Sequence, residues 1–394
     1  MRESQIDLAW LTLASKETSY FMIVTKKIFE LSEMTTISGK TIKKVRIGWE
    51  SYGELNADKS NAILICHYFA GTSHAAGKYA ESDPLPGYWD AIIGPGRAID
   101  TNKYFVFSSD TLVNINAYDP NVVTTGPASI DAATGKPYGL SFPLVTFGDF
   151  VHVQKALVDS LGIKKLRAVA GPSGGGLQTY EWAATYPDMM ERIMPVIAPA
   201  SPGAWLIAWL NVWATPVRLD ANWRNGDYYD KTPPKAGLAE ALKIITLHAS
   251  HQHWIDPTYG RAFARSGADP LDRLENEFAV ETALEDIGRA RAALCDANHL
   301  LYLVKANQAF IPGGGAGAKT AEEGLRRIKA PVLAIYSPSD LVFPAEWVEA
   351  TIAALRDNGA KVETATLTGP YGHLNGLAGI GEQARRIAAF MASD

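Results

Sequence analysis

Cysteine is scarce in this chain, which has two in 394 residues: Cys66 inside an apolar run and Cys295 in a helix-like segment. That scarcity excludes a disulfide framework and suits a reducing compartment, so a cytoplasmic location is expected. Long hydrophobic runs are also missing. The stretch with Leu8, Ala9, Trp10, Leu11 and Leu13 is preceded by Glu3 and Asp7 and broken by Lys16 and Glu17, which is not the pattern of a secretory signal. Nothing approaches the ~20 apolar residues of a membrane span, and no membrane partner is expected. Positive charge is not in excess: Lys and Arg number 37 against 42 Asp and Glu, a formal net charge of −5. The basic residues are spread along the chain rather than striped, so a nucleic-acid partner is not expected. No internal repeat is found.

What the chain does have is core-forming material, with 47% hydrophobic and 20% charged residues, the profile of a globular protein. Short β-branched runs recur between helical patterns, which predicts an α/β fold with a mostly parallel sheet flanked by helices. Val45, Ile47 and Trp49 alternate with Arg46 and Gly48 as in a half-buried strand. Runs at 62–66, 104–107, 167–170, 193–197 and 332–336 read as fully buried strands. Phe150, Val153, Leu157 and Leu161 share one helical face, Trp347, Ile352 and Leu355 another, and 382–391 a final helix. From 202 to 317 the strand rhythm stops and the chain becomes aromatic and helix-like, between breaker-rich flanks. The expected organisation is therefore an N-terminal extension (1–25), a first core part (26–201), an inserted helical cap or lid (202–317) and a second core part (318–394).

One motif carries chemistry. A buried strand runs into Gly171-Pro172-Ser173-Gly174-Gly175-Gly176 and then into the helical pattern of Leu177, Tyr180, Glu181 and Ala184. Strand, tight turn and helix are the setting in which a G-x-S-x-G serine becomes a nucleophile, because small neighbours let a strained turn push the hydroxyl out of the sheet edge. On this motif the fold is an α/β-hydrolase. Such folds place an acid and then a histidine on loops after later strands. Asp340 follows the run 332–336, and His373 follows the strand-like run 362–367. In that order His373 would take the Ser173 proton and Asp340 would orient it. For the oxyanion hole, Gly174 supplies one backbone N–H, and Phe69, in the loop after strand 62–66, is the candidate for the second.

Three other signals are set aside. The segment 313–320 resembles a phosphate loop, but Ala318 stands where a glycine is needed and no buried strand leads in, so it reads as a flexible return linker. His248, His251 and His253 lack a cysteine or carboxylate at ligand spacing, and no metal is expected. Trp205, Trp209 and Trp213 share a helix face, which packs a core or lines the entrance to Ser173.

The chain resembles the homoserine O-acetyltransferases from about residue 45 onward. The resemblance runs through Tyr52-Gly53-Glu54-Leu55-Asn56, Ser73-His74-Ala75-Ala76-Gly77, the segments 93–101 and 133–139, the Ser173 turn, Asn222-Trp223-Arg224-Asn225-Gly226-Asp227-Tyr228-Tyr229, and Ser339-Asp340. It implies transfer of an acetyl group from acetyl-CoA through Ser173 to a hydroxyl, a helical lid and a homodimer. The sequence departs from that family where the substrate is recognised. Leu374 stands where the family carries an aspartate able to hold the amino group of homoserine. No arginine stands in 237–242, where the family's cap helix carries one. Residues 111–118 differ from the family's small-residue loop, and Gly174 replaces a methionine. Leucine cannot replace a charge-assisted grip on an ammonium. The expected activity is a serine carboxylesterase acting on small, fairly apolar acetate-type esters, with no cofactor. Candidates for substrate contact are Tyr68, Leu374, Trp209, Trp213, Arg224 and Tyr228. The alternative is homoserine O-acetyltransfer with acetyl-CoA as co-substrate, and a third reading is a catalytically silent fold used as a binding module.

Overall fold

A computed structural model describes residues 22–393; most of the expected N-terminal extension therefore lies outside the described residues. An eight-stranded sheet runs through the centre. Its strands are β1 (Lys27–Thr35), β2 (Thr41–Tyr52), β3 (Ala62–Cys66), β6 (Phe105–Ser109), β7 (Ala168–Pro172), β8 (Ile193–Val196), β9 (Val332–Tyr336) and β10 (Val362–Thr366), in the spatial order β1-β2-β6-β3-β7-β8-β9-β10. The two-residue strands β4 (Ile93–Gly94) and β5 (Ile99–Asp100) pair separately. From β6 to β10 every pairing is parallel, while β2 runs antiparallel to both β1 and β6.

The parallel strands β3, β6, β7 and β8 are buried along their whole length, as near-continuous apolar runs covered on both faces must be. The expected run at 104–107 begins and ends later, at Phe105–Ser109. The sequence pattern had no strand at β1, because an edge strand with one wet face mixes Glu30, Glu33 and Thr35 among its apolar residues. Register with β2 runs from Lys27 opposite Trp49 to Thr35 opposite Thr41.

Helices α1 (Phe147–Ser160), α2 (Gly174–Thr185), α8 (Ala321–Leu325), α9 (Ala345–Asp357), α10 (Asn375–Ala378) and α11 (Ala384–Ala392) belong to the core. The expected terminal helix starts as a 3-10 turn and becomes α only at Ala384. Between β8 and β9 the chain forms the cap: α3 (Ala204–Leu219), α4 (Lys235–Ala249), α5 (Gln252–Tyr259), α6 (Ala279–Leu294) and α7 (Ala297–Gln308). None of the described helices is long and apolar enough to cross a membrane.

The return from the cap differs from the expectation. Residues 313–317 are not a free linker but a fixed 3-10 turn opened and closed by left-handed Gly313 and Gly317. Its Gly315 N–H donates to Glu181 Oε1 (2.8 Å) on the buried side of α2, while the following amides donate within the turn. Those amides have no phosphate-facing geometry left.

Candidate active site

All the motif residues converge at the C-terminal edge of the parallel strands, where open α/β sheets place their sites. Ser173 follows β7 directly and caps α2 with φ 55° and ψ −119°. A left-handed non-glycine residue is strained by about 1–3 kcal/mol, and here the packing enforces it. A β-carbon at Gly175 would collide with the Cys66 carbonyl of β3, so the strand and helix close on each other only because glycine is there.

Ser173 Oγ lies 2.7 Å from His373 Nε2, and His373 Nδ1 lies 2.7 Å from Asp340 Oδ2. The other carboxylate oxygen, Oδ1, accepts the N–H groups of Val342 (2.8 Å) and Phe343 (2.9 Å), which hold Asp340 in place. Asp340 sits in the loop after β9, and His373 in a 3-10 turn, Gly372–Leu374, after β10. All three side chains are buried. The hydrogen-bonded chain serine–histidine–carboxylate is what activation of a hydroxyl requires.

Beside the hydroxyl, Gly174 and Phe69 face each other. A β-carbon on Gly174 would stand 3.2 Å from the Phe69 nitrogen, and among the described residues neither N–H donates to a protein acceptor. Two free amides next to a nucleophile are suited to a developing oxyanion. The loop that carries Phe69 is braced from behind by residues that the sequence reading did not single out. Buried Asn114 donates to the Gly71 carbonyl (2.9 Å), and Asn116 donates to the Ala70 carbonyl (3.1 Å). Asn114 Oδ1 also accepts from the Asn116 amide, linking the two. His67 completes the brace. Its Nδ1 lies 2.7 Å from the Tyr68 carbonyl and so carries the proton, leaving Nε2 to accept from Asn114 at 3.3 Å. Burial lowers the His67 pKa to about 4, in keeping with that neutral tautomer. The signal for these residues was present: both asparagines lie in the segment 111–118 that departs from the family pattern.

Ser173 and His373 open onto a cavity of about 300 Å³ between core and cap. Of the expected contacts, Tyr68, Trp213 and Leu374 line it, as does Phe69 of the expected oxyanion hole, and Trp213 meets Phe69 edge-on at 5.4 Å. Trp209, Arg224 and Tyr228 do not. Trp209 stacks on His248, with ring centroids 4.1 Å apart. Arg224 is exposed and donates to the Thr232 carbonyl. Tyr228 is buried with its hydroxyl on Asp296, the N-cap of α7. The family segment 222–229 is thus scaffolding for the cap rather than cavity wall. Trp205 is 60% exposed, so the three tryptophans of α3 run from solvent to cavity. His251 and His253 contact one another, and among the described residues no group of His, Cys, Asp or Glu is arranged to hold a metal. The lining also includes Ile197, Leu206, Leu210, Thr246 and Arg291, none of them expected from sequence.

The fold and this serine–histidine–carboxylate geometry define an α/β-hydrolase enzyme of the acyl-transfer and ester-hydrolysis class. No family model matches the chain. The homoserine O-acetyltransferase of Deferribacter desulfuricans is 38% identical over 358 residues, which cover 91% of this chain and 92% of that protein. The chain belongs to the homoserine O-acetyltransferase family. Among solved structures, esterase E22 is similar at 47% identity and a TM-score of 0.89, covering 94% of this chain and 100% of that one. An L374D mutant of esterase E22 is similar to the same degree, at 46% identity and a TM-score of 0.89 with the same coverage. The homoserine O-acetyltransferase of Bacillus anthracis is 36% identical with a TM-score of 0.88, covering 95% of this chain and 99% of that one.

Proposed function

We propose that the protein is a serine carboxylesterase that hydrolyses small, fairly apolar acetate-type esters. Ser173 Oγ attacks the ester carbonyl carbon while its proton passes to His373 Nε2, and Asp340 stabilises the resulting imidazolium. The tetrahedral oxyanion accepts from the N–H groups of Phe69 and Gly174. The bond to the leaving alkoxy oxygen then breaks, and His373 returns the proton to that oxygen. Water repeats the sequence in reverse: it attacks the acyl-enzyme, gives its proton to His373, and releases the acid as Ser173 regains its hydrogen.

The observation that carries this reading is Leu374. It follows His373 directly and faces the cavity, so the position beside the catalytic base is apolar and offers no carboxylate for an ammonium. That the solved neighbours include an enzyme named as an esterase supports the same reading. Incubation with p-nitrophenyl acetate or ethyl acetate without coenzyme A tests it: steady acetate release is expected, and none would overturn it.

A second reading is homoserine O-acetyltransfer with acetyl-CoA, favoured by the names of the curated relatives. It requires CoA release that rises with homoserine concentration. In Leu374→Asp, apolar ester hydrolysis should fall, because a carboxylate placed beside His373 must be desolvated in an apolar wall. Unchanged hydrolysis in that variant would detach Leu374 from substrate choice.

A further inference from the structure

The cap wall of the cavity holds a charge that the ester reading does not use. Among the described residues, and apart from His373, Arg291 on α6 is the one ionisable basic side chain in a lining otherwise made of apolar groups, a few hydroxyls and an amide. Its Nη1 donates to Thr246 Oγ1 (2.9 Å) on the neighbouring helix α4. Thr246 in turn donates to the Leu242 carbonyl, which fixes the pair. Among the described residues no carboxylate lies within ion-pair distance of Arg291, and no other acceptor is bonded to it.

A helix-capping role does not account for this residue. Arg291 lies in the last turn of α6, but the final carbonyls there are already taken by Lys235, whose Nζ reaches Ala292, Ala293 and Cys295. A second donor is idle in the same wall. Trp213 Nε1 is buried and has no partner among the described residues, and its side chain lines the cavity. A guanidinium facing apolar surface is costly unless an anion pairs with it, and its planar fork fits a carboxylate through two N–H bonds.

We propose that Arg291 receives a carboxylate on the alcohol part of the substrate, so that the preferred substrates are short-chain acyl esters of hydroxycarboxylic acids that carry one carboxylate and no ammonium. The inference rests on the esterase reading and revises it on one point: the alcohol part is apolar near Leu374 but ends in a carboxylate at Arg291. With an acetate-sized acyl group at Ser173, the remaining volume of a 300 Å³ cavity is left to the alcohol. Arg291 offers that alcohol a cation, and Leu374 offers it no anion. The family's α4 arginine is absent from 237–242, so the cation here comes from a different helix.

A matched pair of acetates reads the contact directly: 4-acetoxybutanoate against the uncharged 4-acetoxybutanamide. The native enzyme should favour the carboxylate by at least about tenfold in kcat/KM at low ionic strength, the scale of one hydrogen-bonded charge. Arg291→Met should bring the ratio to near one, Arg291→Lys should keep part of it, and Arg289→Met, on the exposed side of α6, should leave it alone. A native ratio near one, or a ratio unchanged in Arg291→Met, would overturn the assignment. Calorimetric binding of 4-hydroxybutanoate to Ser173→Ala, lost in Ser173→Ala with Arg291→Met, measures the same contact without turnover. Failure of the esterase reading alone therefore leaves this measurement to decide, and absence of binding in Ser173→Ala would sink the proposal.

Discussion

The two walls of the cavity are held by different forces. On the core wall, Ser173, His373 and Asp340 form one continuous chain of hydrogen bonds, and Asn114 and Asn116 peg the Phe69 loop at two successive carbonyls. On the cap wall, Leu206, Leu210, Trp213 and Ile245 contribute shape, the Arg291–Thr246 pair is its main directional contact, and Trp213 Nε1 is buried without a partner among the described residues. Directional bonds fix atoms to fractions of an ångström, whereas apolar contacts tolerate repacking. The core wall therefore holds the groups of the chemical step, while the cap wall, together with Leu374 beside His373, shapes the space left to the substrate.

The strongest attack on that division is at the nucleophile. Ser173→Ala should reduce kcat/KM for p-nitrophenyl acetate by at least about 10⁴-fold, with a thermal midpoint within a few degrees of the parent, because the hydroxyl contributes little packing. Residual turnover at the parent level would refute the site. Asp340→Asn comes next, with an expected loss of about 10³–10⁴-fold in kcat. The amide cannot both accept the His373 Nδ1 proton and balance the imidazolium.

Asn114→Ala sharpens the comparison further. It removes the peg on the Gly71 carbonyl without touching substrate, so kcat should fall by roughly 10–100-fold, less than the loss of an oxyanion donor itself, with KM nearly constant. Trp213→Ala on the opposite wall should do the reverse and raise KM more than it lowers kcat. Steady-state kinetics on both variants, with a single acetate ester, decide the matter. Equal changes in KM for the two would break the distinction between walls.

Much of this was legible in the sequence because the chemistry is written in local patterns. Strand, glycine turn and helix around Ser173 form a short-range signal, and Asp340 and His373 need only to follow later strands in order. The buried runs β3 and β9 were found with their observed limits, since a fully buried parallel strand is continuously apolar. What stayed hidden depends on distant packing. Arg291 and Thr246 meet only because α4 and α6 lie side by side, and their pairing spans 45 positions in sequence. Arg224 and Tyr228 looked like pocket residues because they sit in a family-like string. Asp296, far along the chain, draws the Tyr228 and Tyr229 hydroxyls away from the cavity. The glycine-rich 313–317 turn looked mobile by composition, while a single carboxylate, Glu181, ties it to α2.

The smallest expected effect separates the two walls by pH. His248, on the cap side, is stacked on Trp209 and edge-on to Trp213, with Nε2 3.1 Å from the Leu341 carbonyl. Burial lowers its pKa to about 4, with the charge of nearby His373 acting in the same direction. An imidazole in the unfolded chain titrates near 6.5. Between about pH 6.5 and 4 the unfolded chain therefore binds a proton that the folded one refuses, so stability is complete above 6.5 and declines as pH falls towards 4. His67 on the core wall, also near 4, adds to the same window. Glu50 behaves differently. Its burial alone would raise its pKa, yet the His74 hydrogen bond and the Lys26 charge bring it down to about 2, so its contribution is present above about 4.5 and lost only as pH falls from there towards 2. Urea midpoints measured from pH 7.5 to 3 should thus show an upper slope that His248→Leu makes shallower, and a lower slope that it leaves intact. An upper slope unchanged in His248→Leu would move the acid response to the other histidines that burial holds down, His67 and His299 first among them.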